Sequence, residues 1–310
     1  MKVADLFAPI ARSLCAFLPA LVFGLGPVSA QSADPSPAPL SATSAPVPMN
    51  QEQKDAQEAL IKESQNPVGN VTLIQFQNNI NYGYGPYVRD QYVLNVQPVV
   101  PIELKANLSL VTRFITPIID QPSFSPPGVC ASTSGCPSKF GIGDLTPQFY
   151  FAPKTKPNAV IWGAGPQFLL PTGNSSGTSA GKYGVGPAIV GLIMPGTIVT
   201  GLLVTQMFSY AGNKNKPNIS ALLLQPFFDY NLKSWALFFG SSGITANWEA
   251  TPSDRWLVPV GTGVVKTFRL NKQTMQLGIY YFGNVVRPVG APFGTIRLNY
   301  NLVFPVTRGR

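Results

Sequence analysis

The feature that most constrains this chain is a two-residue alternation of apolar and polar side chains, which recurs in segments of about ten residues from position 71 to position 304. Residues 295–304 show it most clearly, with one apolar face and one polar face. The apolar face consists of Ile296, Leu298, Tyr300, Leu302 and Phe304, and the polar face consists of Arg297, Asn299 and Asn301. Successive side chains of a strand point to opposite faces, so such a strand suits a closed sheet with lipid outside and water inside. The alternation therefore predicts an all-β fold, a transmembrane, antiparallel, up-and-down β-barrel.

The connectors between these segments are alternately long and short, and we predict about twelve strands. An even number of strands places both chain ends on one side of the membrane, together with the short turns. The most helix-like apolar run, residues 188–204, is interrupted by Pro195 and Gly196. Its β-branched residues favour two strands joined by a turn, and a helical hairpin is the alternative.

The amino-terminal segment has the composition of an export signal. Lys2 and Arg12 precede an apolar run at residues 14–25, and small residues ending at Ala30 provide a cleavage site. We therefore predict that residues 1–30 are a signal peptide, cleaved after Ala30.

Four regions follow the signal peptide. Residues 31–49 are rich in Pro, Ala and Ser and are expected to be a disordered linker. Residues 50–65 are expected to form a short periplasmic helix, which Asn50 can cap. That helix is either a plug at the inner mouth of the barrel or a solvated tether. Residues 66–304 form the predicted barrel, and residues 305–310 form a carboxyl-terminal tail.

Composition narrows the classes of function. The formal net charge is +9, but the basic residues are scattered, without a basic helix or a stripe of basic and aromatic residues. We expect no nucleic-acid partner, and an attraction to anionic lipid head groups or anionic solutes instead. The chain contains no histidine, which removes Ser-His-Asp and Cys-His sites and the commonest metal ligand. No glycine pair continues into a dinucleotide fingerprint, so we expect no cofactor and predict that the chain is not an enzyme.

Two cysteines, Cys130 and Cys136, remain after removal of the signal peptide, in a loop rich in Pro, Gly and Ser. In an exported chain, an isolated pair this close is expected to form a disulfide. Two free thiols in a flexible loop are the alternative.

Alternation assigns a set of polar side chains to the barrel interior. These lumen-lining candidates are Gln75, Gln77, Asn79, Asn95, Gln97, Arg113, Asp144, Gln148, Gln167, Gln225, Asp229, Arg297, Asn299 and Asn301. An arginine on the lipid face at mid-membrane costs about 2–4 kcal/mol, so Arg113 and Arg297 are expected to point inward. There they either line a constriction that selects solutes by charge, or pair with Asp144 and Asp229 and brace the wall. Alternation is too weak to assign the faces of the sixth, seventh and ninth strands.

Proline and glycine recur within the predicted strands. Proline cannot donate to a sheet ladder, so we expect bulges or strand ends at Pro98, Pro117, Pro147, Pro166, Pro187, Pro226 and Pro259. Glycine pairs at two-residue spacing place both members on one face. The pairs are Gly83/Gly85, Gly141/Gly143, Gly163/Gly165, Gly184/Gly186 and Gly261/Gly263. They either leave space in the lumen or relieve the curvature of a small barrel.

Several longer motifs carry a resemblance to a known family. The motifs are NPVG (66–69), FQNN (76–79), VLNVQPVVP (93–101), GIGDL (141–145), WGAGP (162–166), LLQP (223–226), ITANWE (244–249) and NVVRP (284–288). Together they resemble Gram-negative outer-membrane proteins related to the phenol-degradation MetA-pathway family, many of which are labelled neuromedin U or transporter. The resemblance covers nearly all of residues 66–304 and implies passage of small, including hydrophobic, molecules. The apolar alternation that ends on Phe304 partly matches the signal read by the barrel-assembly machinery.

These observations favour a passive channel or transporter in the outer membrane of a Gram-negative bacterium, which passes small hydrophobic or anionic solutes through its lumen. The alternative is a structural or adhesive barrel that acts through its external disulfide-closed loop. The expected partners are outer-membrane lipid and lipopolysaccharide, the barrel-assembly machinery and a small-molecule solute.

Overall fold

The computed structural model describes residues 51–125, 137–155, 159–175, 177–270 and 273–305. In these ranges the chain forms one α-helix, fourteen strands and a single 3-10 turn at Pro252–Asp254. The helix is α1 (Gln51–Ser64), and the strands are β1 (Val71–Tyr84), β2 (Arg89–Lys105), β3 (Leu108–Gln121), β4 (Lys139–Ile142), β5 (Thr146–Pro153), β6 (Ile161–Leu169), β7 (Lys182–Ile193), β8 (Ile198–Gly212), β9 (Ser220–Leu232), β10 (Trp235–Gly240), β11 (Ile244–Asn247), β12 (Trp256–Leu270), β13 (Gln273–Val286) and β14 (Gly294–Pro305). Neither α1 nor any other described helix has the length and apolar character needed to cross a membrane.

The fourteen strands occupy twelve strand positions around one closed antiparallel sheet, and we call each position a stave. β4 and β5 both pair with β3 and form one stave, and β10 and β11 both pair with β9 and β12 and form another. The ring closes because β1 pairs with both β2 and β14. The predicted antiparallel barrel of about twelve strands, preceded by a short helix, is confirmed.

Long and short connectors alternate around the barrel. We call one end the short-turn end; its connectors are residues 106–107, 154–160, 194–197, 233–234 and 271–272. We call the other the long-loop end; its connectors are residues 85–88, 122–138, 170–181, 213–219, 248–255 and 287–293. Both Val71, where β1 begins, and Pro305, where β14 ends, lie at the short-turn end. The arrangement follows from an even number of staves.

One predicted strand, the ninth (residues 235–248), is broken in the middle. The predicted ninth strand divides into β10 and β11 around Gly240 and Gly243, whose φ angles of 154° and 142° favour glycine. Between them, the Ser241 hydroxyl donates to the carbonyl oxygen of Pro259 (2.6 Å) and accepts from the Gly243 amide (3.1 Å). The register of β12 with β13 shifts at Pro259. The break and the bulge are therefore one local feature, held by a buried hydroxyl.

The strand prolines are accommodated in two ways. A register shift, as expected, occurs at Pro259. At Pro98 the register is kept, and the pairing of β2 with β3 lapses after Val96 and resumes at Val99. Pairing of β7 with β8 lapses in the same way around Pro187. A proline therefore removes local hydrogen bonds from a ladder without displacing the strand when the strands on both sides hold the register.

The interior near the short-turn end is apolar rather than hydrated. Side chains there form a packed cluster that consists of Val68, Val71, Leu73, Val99, Val111, Tyr150, Ala152, Ala188, Val190, Leu192, Val199, Leu203 and Val303. The cluster assigns the faces that alternation left open: on β7, Ala188 and Val190 are fully buried, whereas Ile189 is 51% exposed on the outer face. The expectation of a wet lumen along its whole length is wrong at this end, because small and β-branched residues of β7 and β8 fill it.

Tryptophans lie near both ends of the staves. Trp162 and Trp235 are each 47% exposed near the short-turn end. Trp248 and Trp256 flank a connector of the long-loop end, with ring centroids 5.8 Å apart in an edge-to-face arrangement. Amphipathic rings at these two levels are typical of the interfaces on either side of a lipid bilayer.

Candidate functional site

Two arginines project into the barrel, each held by a neutral amide. Arg113 of β3 donates from Nε to Gln97 Oε1 (3.0 Å), and its Nη2 donates to the same oxygen. Arg297 of β14 donates from Nε to Asn79 Oδ1 (2.7 Å), and its guanidinium lies 5.1 Å from the ring centroid of Phe282. Alternation in β3 and β14 directs both side chains inward, and the amides of β1 and β2 orient them without neutralising their charge.

The proposed bracing of the wall by ion pairs does not occur among the described residues. Neither arginine has a carboxylate oxygen within 4 Å in that part of the chain. Asp144 instead anchors the loop between β6 and β7, where it accepts from the amides of Gly173 (3.0 Å) and Ala180 (2.7 Å). Asp229 lies on β9 and borders the same cavity as the arginines. Asp144 is therefore engaged by the loop between β6 and β7, and Asp229 lies more than 4 Å from both guanidiniums.

A cavity of about 170 Å³ occupies the middle of the lumen, with both arginines in its wall. Its polar side comes from β1, β3 and β14 and is formed by Gln75, Gln77, Arg113, Arg297, Asn299 and Asn301. Its apolar side comes from β8, β9, β10 and β12 and is formed by Leu203, Phe227, Phe238 and Val265. Strand order places β8, β9 and β10 half a turn of the ring from β1, β2 and β3, whereas β12 is separated from β14 by β13 alone. The two sides therefore face each other across the lumen at β3 and approach each other near β14.

The remaining sequence candidates lie around this cavity or form the wall beside it. Gln225 lines it, and Asn95 is the cross-strand neighbour of Gln77. Gln148 donates to Gln167 Oε1 (3.1 Å) and is therefore engaged in a buried amide pair between β5 and β6. The structure thus gathers eight of the fourteen candidates in the cavity lining.

Sequence reasoning missed the aromatic half of the site. Phe227, Phe238, Tyr280 and Phe282 all border the cavity, and the Phe238 ring lies 5.3 Å from that of Tyr280. A signal was present, because Phe227 follows Gln225 at two-residue spacing and therefore shares its face. An inward aromatic residue nevertheless resembles an outward one when both faces of a strand are apolar.

The amino-terminal helix and the residues after it plug the short-turn end. We call residues 65–68 the lumen segment. Gln65 exchanges two hydrogen bonds with Asn231 of β9 (2.9 and 3.0 Å), and Ser64 accepts from Gln276 of β13 (2.7 Å). Val68, 7% exposed, joins the apolar cluster. Of the two roles left open by the sequence, the plug agrees with these contacts and the solvated tether is wrong.

The inward glycines serve both roles considered for them. A Cβ at Gly163 would lie 2.9 Å from Cγ1 of Val68, so this glycine leaves space for the lumen segment. A Cβ at Gly186 would instead meet the backbone carbonyl of Gln206 on the neighbouring strand, so this glycine permits close approach of β7 and β8. Gly163 therefore leaves space inside the lumen, and Gly186 allows two strands of the wall to approach each other.

Cys130 and Cys136, with the disulfide predicted between them, lie outside the described residues. Residues 1–50, which include the predicted signal peptide and linker, and residues 306–310 of the predicted tail lie outside them as well. The adhesive alternative depends on the cysteine loop and stays a prediction.

Comparison with known proteins shows the fold but no family. No protein-family model matches the chain, and no curated protein matches it. Among solved structures, it is similar to an outer-membrane channel from Pseudomonas putida F1, with 16% identity and a TM-score of 0.52, over 76% of this chain and 94% of that one. It also matches the NanC porin, with 10% identity and a TM-score of 0.45, over 75% of this chain and 100% of that one. The chain therefore has the fold of outer-membrane β-barrel channels, and the finer family resemblance stays a prediction.

One expectation is corrected by the same comparison. The chain matches outer-membrane phospholipase A from Escherichia coli, with 13% identity and a TM-score of 0.40, over 80% of this chain and 97% of that one. The prediction that the chain is not an enzyme is wrong as an exclusion, because barrels of this kind include an enzyme. A lack of histidine removes particular catalytic sets rather than catalysis as such, and a likeness at this level assigns no activity to this chain.

Proposed function

We propose that this chain is a passive channel of the Gram-negative outer membrane, through whose lumen small solutes pass. The outer face supports a membrane setting: on β13, Leu277, Ile279 and Tyr281 are about half exposed, while the inward Phe282 is fully buried. A continuous band of exposed apolar side chains around a closed sheet is stable against lipid tails and unstable in water.

The observation that carries the channel proposal is the charge of Arg113 and Arg297 inside the lumen. A wall built only for rigidity gains nothing from burying two cations without counter-charges, since unpaired buried charge is costly. A lumen that receives solutes and water keeps such groups hydrated and available. The amides of Gln97 and Asn79 support this role, because they hold the guanidiniums in place without neutralising them.

Passage in this proposal requires movement of the lumen segment. Residues 65–68 and α1 occupy the short-turn end, and the cavity of about 170 Å³ lies behind them. The inserted state is held by the Gln65–Asn231 amide pair, the hydrogen bond from Gln276 to Ser64 and the packing of Val68. We expect a low basal permeability that rises when these contacts are lost.

The proposal also includes an orientation and partners. The long-loop end would face outward among lipopolysaccharide, and the short-turn end would face the periplasm, after insertion by the barrel-assembly machinery. Separation of inner and outer membranes by density should place the chain with the outer membrane, and heat-modifiable migration on a detergent gel should report the closed barrel.

Reconstitution of the full mature chain in planar bilayers tests the function. We expect discrete conductance steps for the wild type and larger ones after deletion of residues 51–68, with liposome swelling by small solutes in both cases. The deletion is the matched control, because it separates a plugged channel from a barrel with no pore. A folded barrel without conductance and without swelling in either form would reject the proposal.

A further inference from the structure

We propose that the lumen cavity recognises a small carboxylate that carries a single-ring apolar body. This inference rests on the proposed channel function and names its solute class. The juxtaposition that carries it is a pair of fixed guanidiniums and a cluster of aromatic rings in the wall of one cavity: Phe238 lies half a turn of the ring from Arg113, and Phe282 lies beside Arg297.

The cationic side offers hydrogen-bond donors that the protein leaves unused. In the described part of the chain, Arg297 donates only through Nε, and Arg113 donates through Nε and Nη2 to a single acceptor. Both guanidiniums line the same cavity, and an anion bound between them would offset their like charges. Guanidinium forks match the planar geometry of a carboxylate, so the same groups supply both charge and orientation.

The apolar side of the cavity is suited to an aromatic ring. Phe238 lies edge-to-face with Phe282, at 5.9 Å between ring centroids, and Phe227 borders the same space. Leu203 and Val265 complete this apolar surface. Ring pairs prefer offset or edge-to-face arrangements, and the rim of such a cluster accepts one further ring in the same geometry.

The size of the cavity limits the apolar body to about one ring. An apolar cavity of roughly 150 Å³ in another protein holds benzene, and the cavity here measures about 170 Å³. The space is therefore adequate for benzoate and too small for a long acyl chain without rearrangement.

Asp229 orients a carboxylate solute within the cavity. It borders the cavity from β9, on the side of Phe227 and away from the arginines. A carboxylate solute is repelled from this acid and attracted to Arg113 and Arg297, so its ring is directed towards the aromatic wall. The same acid disfavours a dianion and offers a weak site to a cation.

Benzoate binding to the detergent-folded full chain, measured by calorimetry, tests the inference independently of transport. Three probes change one property each: benzyl alcohol lacks the charge, acetate lacks the ring, and benzylammonium reverses the charge. We expect benzoate to bind at least about tenfold more tightly than each of them, since both halves of the site contribute. Equal binding of benzoate and acetate would overturn the aromatic half, and equal binding of benzoate and benzyl alcohol would overturn the anionic half.

Substitutions of Arg297 and Phe238 test whether benzoate binds in the lumen cavity. Arg297→Gln should weaken benzoate binding about tenfold or more, while Arg297→Lys, which keeps the charge without the fork, should lose less. Phe238→Leu should weaken benzoate binding and leave acetate unchanged. Arg287→Gln is the matched control, because it removes the same charge from a loop outside the lumen. Heat-modifiable migration verifies that each variant is folded, and unchanged benzoate affinity in folded Arg297→Gln and Phe238→Leu would overturn the inference.

Transport measurements separate this inference from the function on which it rests. Benzoate binding without conductance would reject the channel and leave the site standing. Conductance without a preference for benzoate in reversal potentials would leave the channel standing and reject the site.

Discussion

Truncation of Val68 to alanine should release the plug. Val68 is the apolar anchor of the lumen segment: it is 7% exposed and packs in a cluster with Tyr150 and Ala152. The neighbouring Gly163 has no side chain, and Cγ1 of Val68 occupies the space that a Cβ there would need. Because Val68 is the residue through which the lumen segment joins the apolar cluster, loss of its packing should change the balance between the inserted and released states of the segment.

The magnitude follows from the buried carbon removed. Val68→Ala removes two methyl-sized groups, each worth about 0.8 kcal/mol when buried, so the inserted state should lose about 1.6 kcal/mol. Since about 1.4 kcal/mol corresponds to a factor of ten, the ratio of released to inserted segment should rise roughly 15-fold. Little of this loss should appear in the stability of the barrel, because the strands keep all of their ladder hydrogen bonds.

Open probability in single-channel recordings measures this ratio. The matched control is Val265→Ala, which removes the same two groups from a buried position of the barrel wall on β12, outside the apolar cluster that holds Val68. We expect the open probability to rise in Val68→Ala and to remain near the wild-type value in Val265→Ala. Equal open probabilities in Val68→Ala and the wild type, with both barrels folded, would refute the argument that packing of the lumen segment keeps the channel closed.

Two further predictions concern the wall and the loops. Gly186→Ala should destabilise the barrel by about 1–3 kcal/mol, because the new Cβ meets the backbone of β8. Gly191→Ala on the same strand has open space around the new Cβ and should be neutral. The temperature at which each variant shifts on a heat-modifiable gel compares the two. At the long-loop end, the Val289 amide donates to Asp254 (2.9 Å) and holds the pKa of that carboxyl below its usual value of about 3.9. Because the pKa is lowered, the contact is present above the usual carboxyl pKa and is lost as the pH falls through the lowered pKa. The amide resonance of Val289 should therefore titrate below about pH 3.9. In Asp254→Asn the same resonance should not change with pH. A titration midpoint at or above the usual carboxyl value would contradict this contact.

Alternation along the chain was sufficient to predict the strands and their direction. Segments such as β1 and β14 carry a polar face and an apolar face, and a hydrocarbon environment admits only one closed arrangement of such strands. The positions of turns followed as well, because Gly, Pro, Asn and Lys cluster between apolar segments. The inward placement of Arg113 and Arg297 required only the period of a strand and the cost of a charge in lipid.

Other features depended on contacts between residues far apart in sequence. The faces of β7 and β8 were ambiguous because small apolar side chains fit either lipid or a packed interior, and only the neighbouring strands decide between them. Helix α1 has few apolar residues, and nothing local distinguishes a plug from a tether. Insertion of the lumen segment that follows the helix depends on two contacts that form after the ring closes. Gln65 bonds to Asn231, and Val68 packs against Gly163.

The sequence by itself therefore determined that the chain makes a barrel, roughly how many strands it has and that Arg113 and Arg297 point inward, because these are properties of each strand and its surrounding solvent. Only the tertiary structure decided what those residues do. The closed ring brings amides rather than carboxylates to the two arginines and places aromatic residues in the same cavity. These partners depend on the register of each strand pair and on closure of the whole ring.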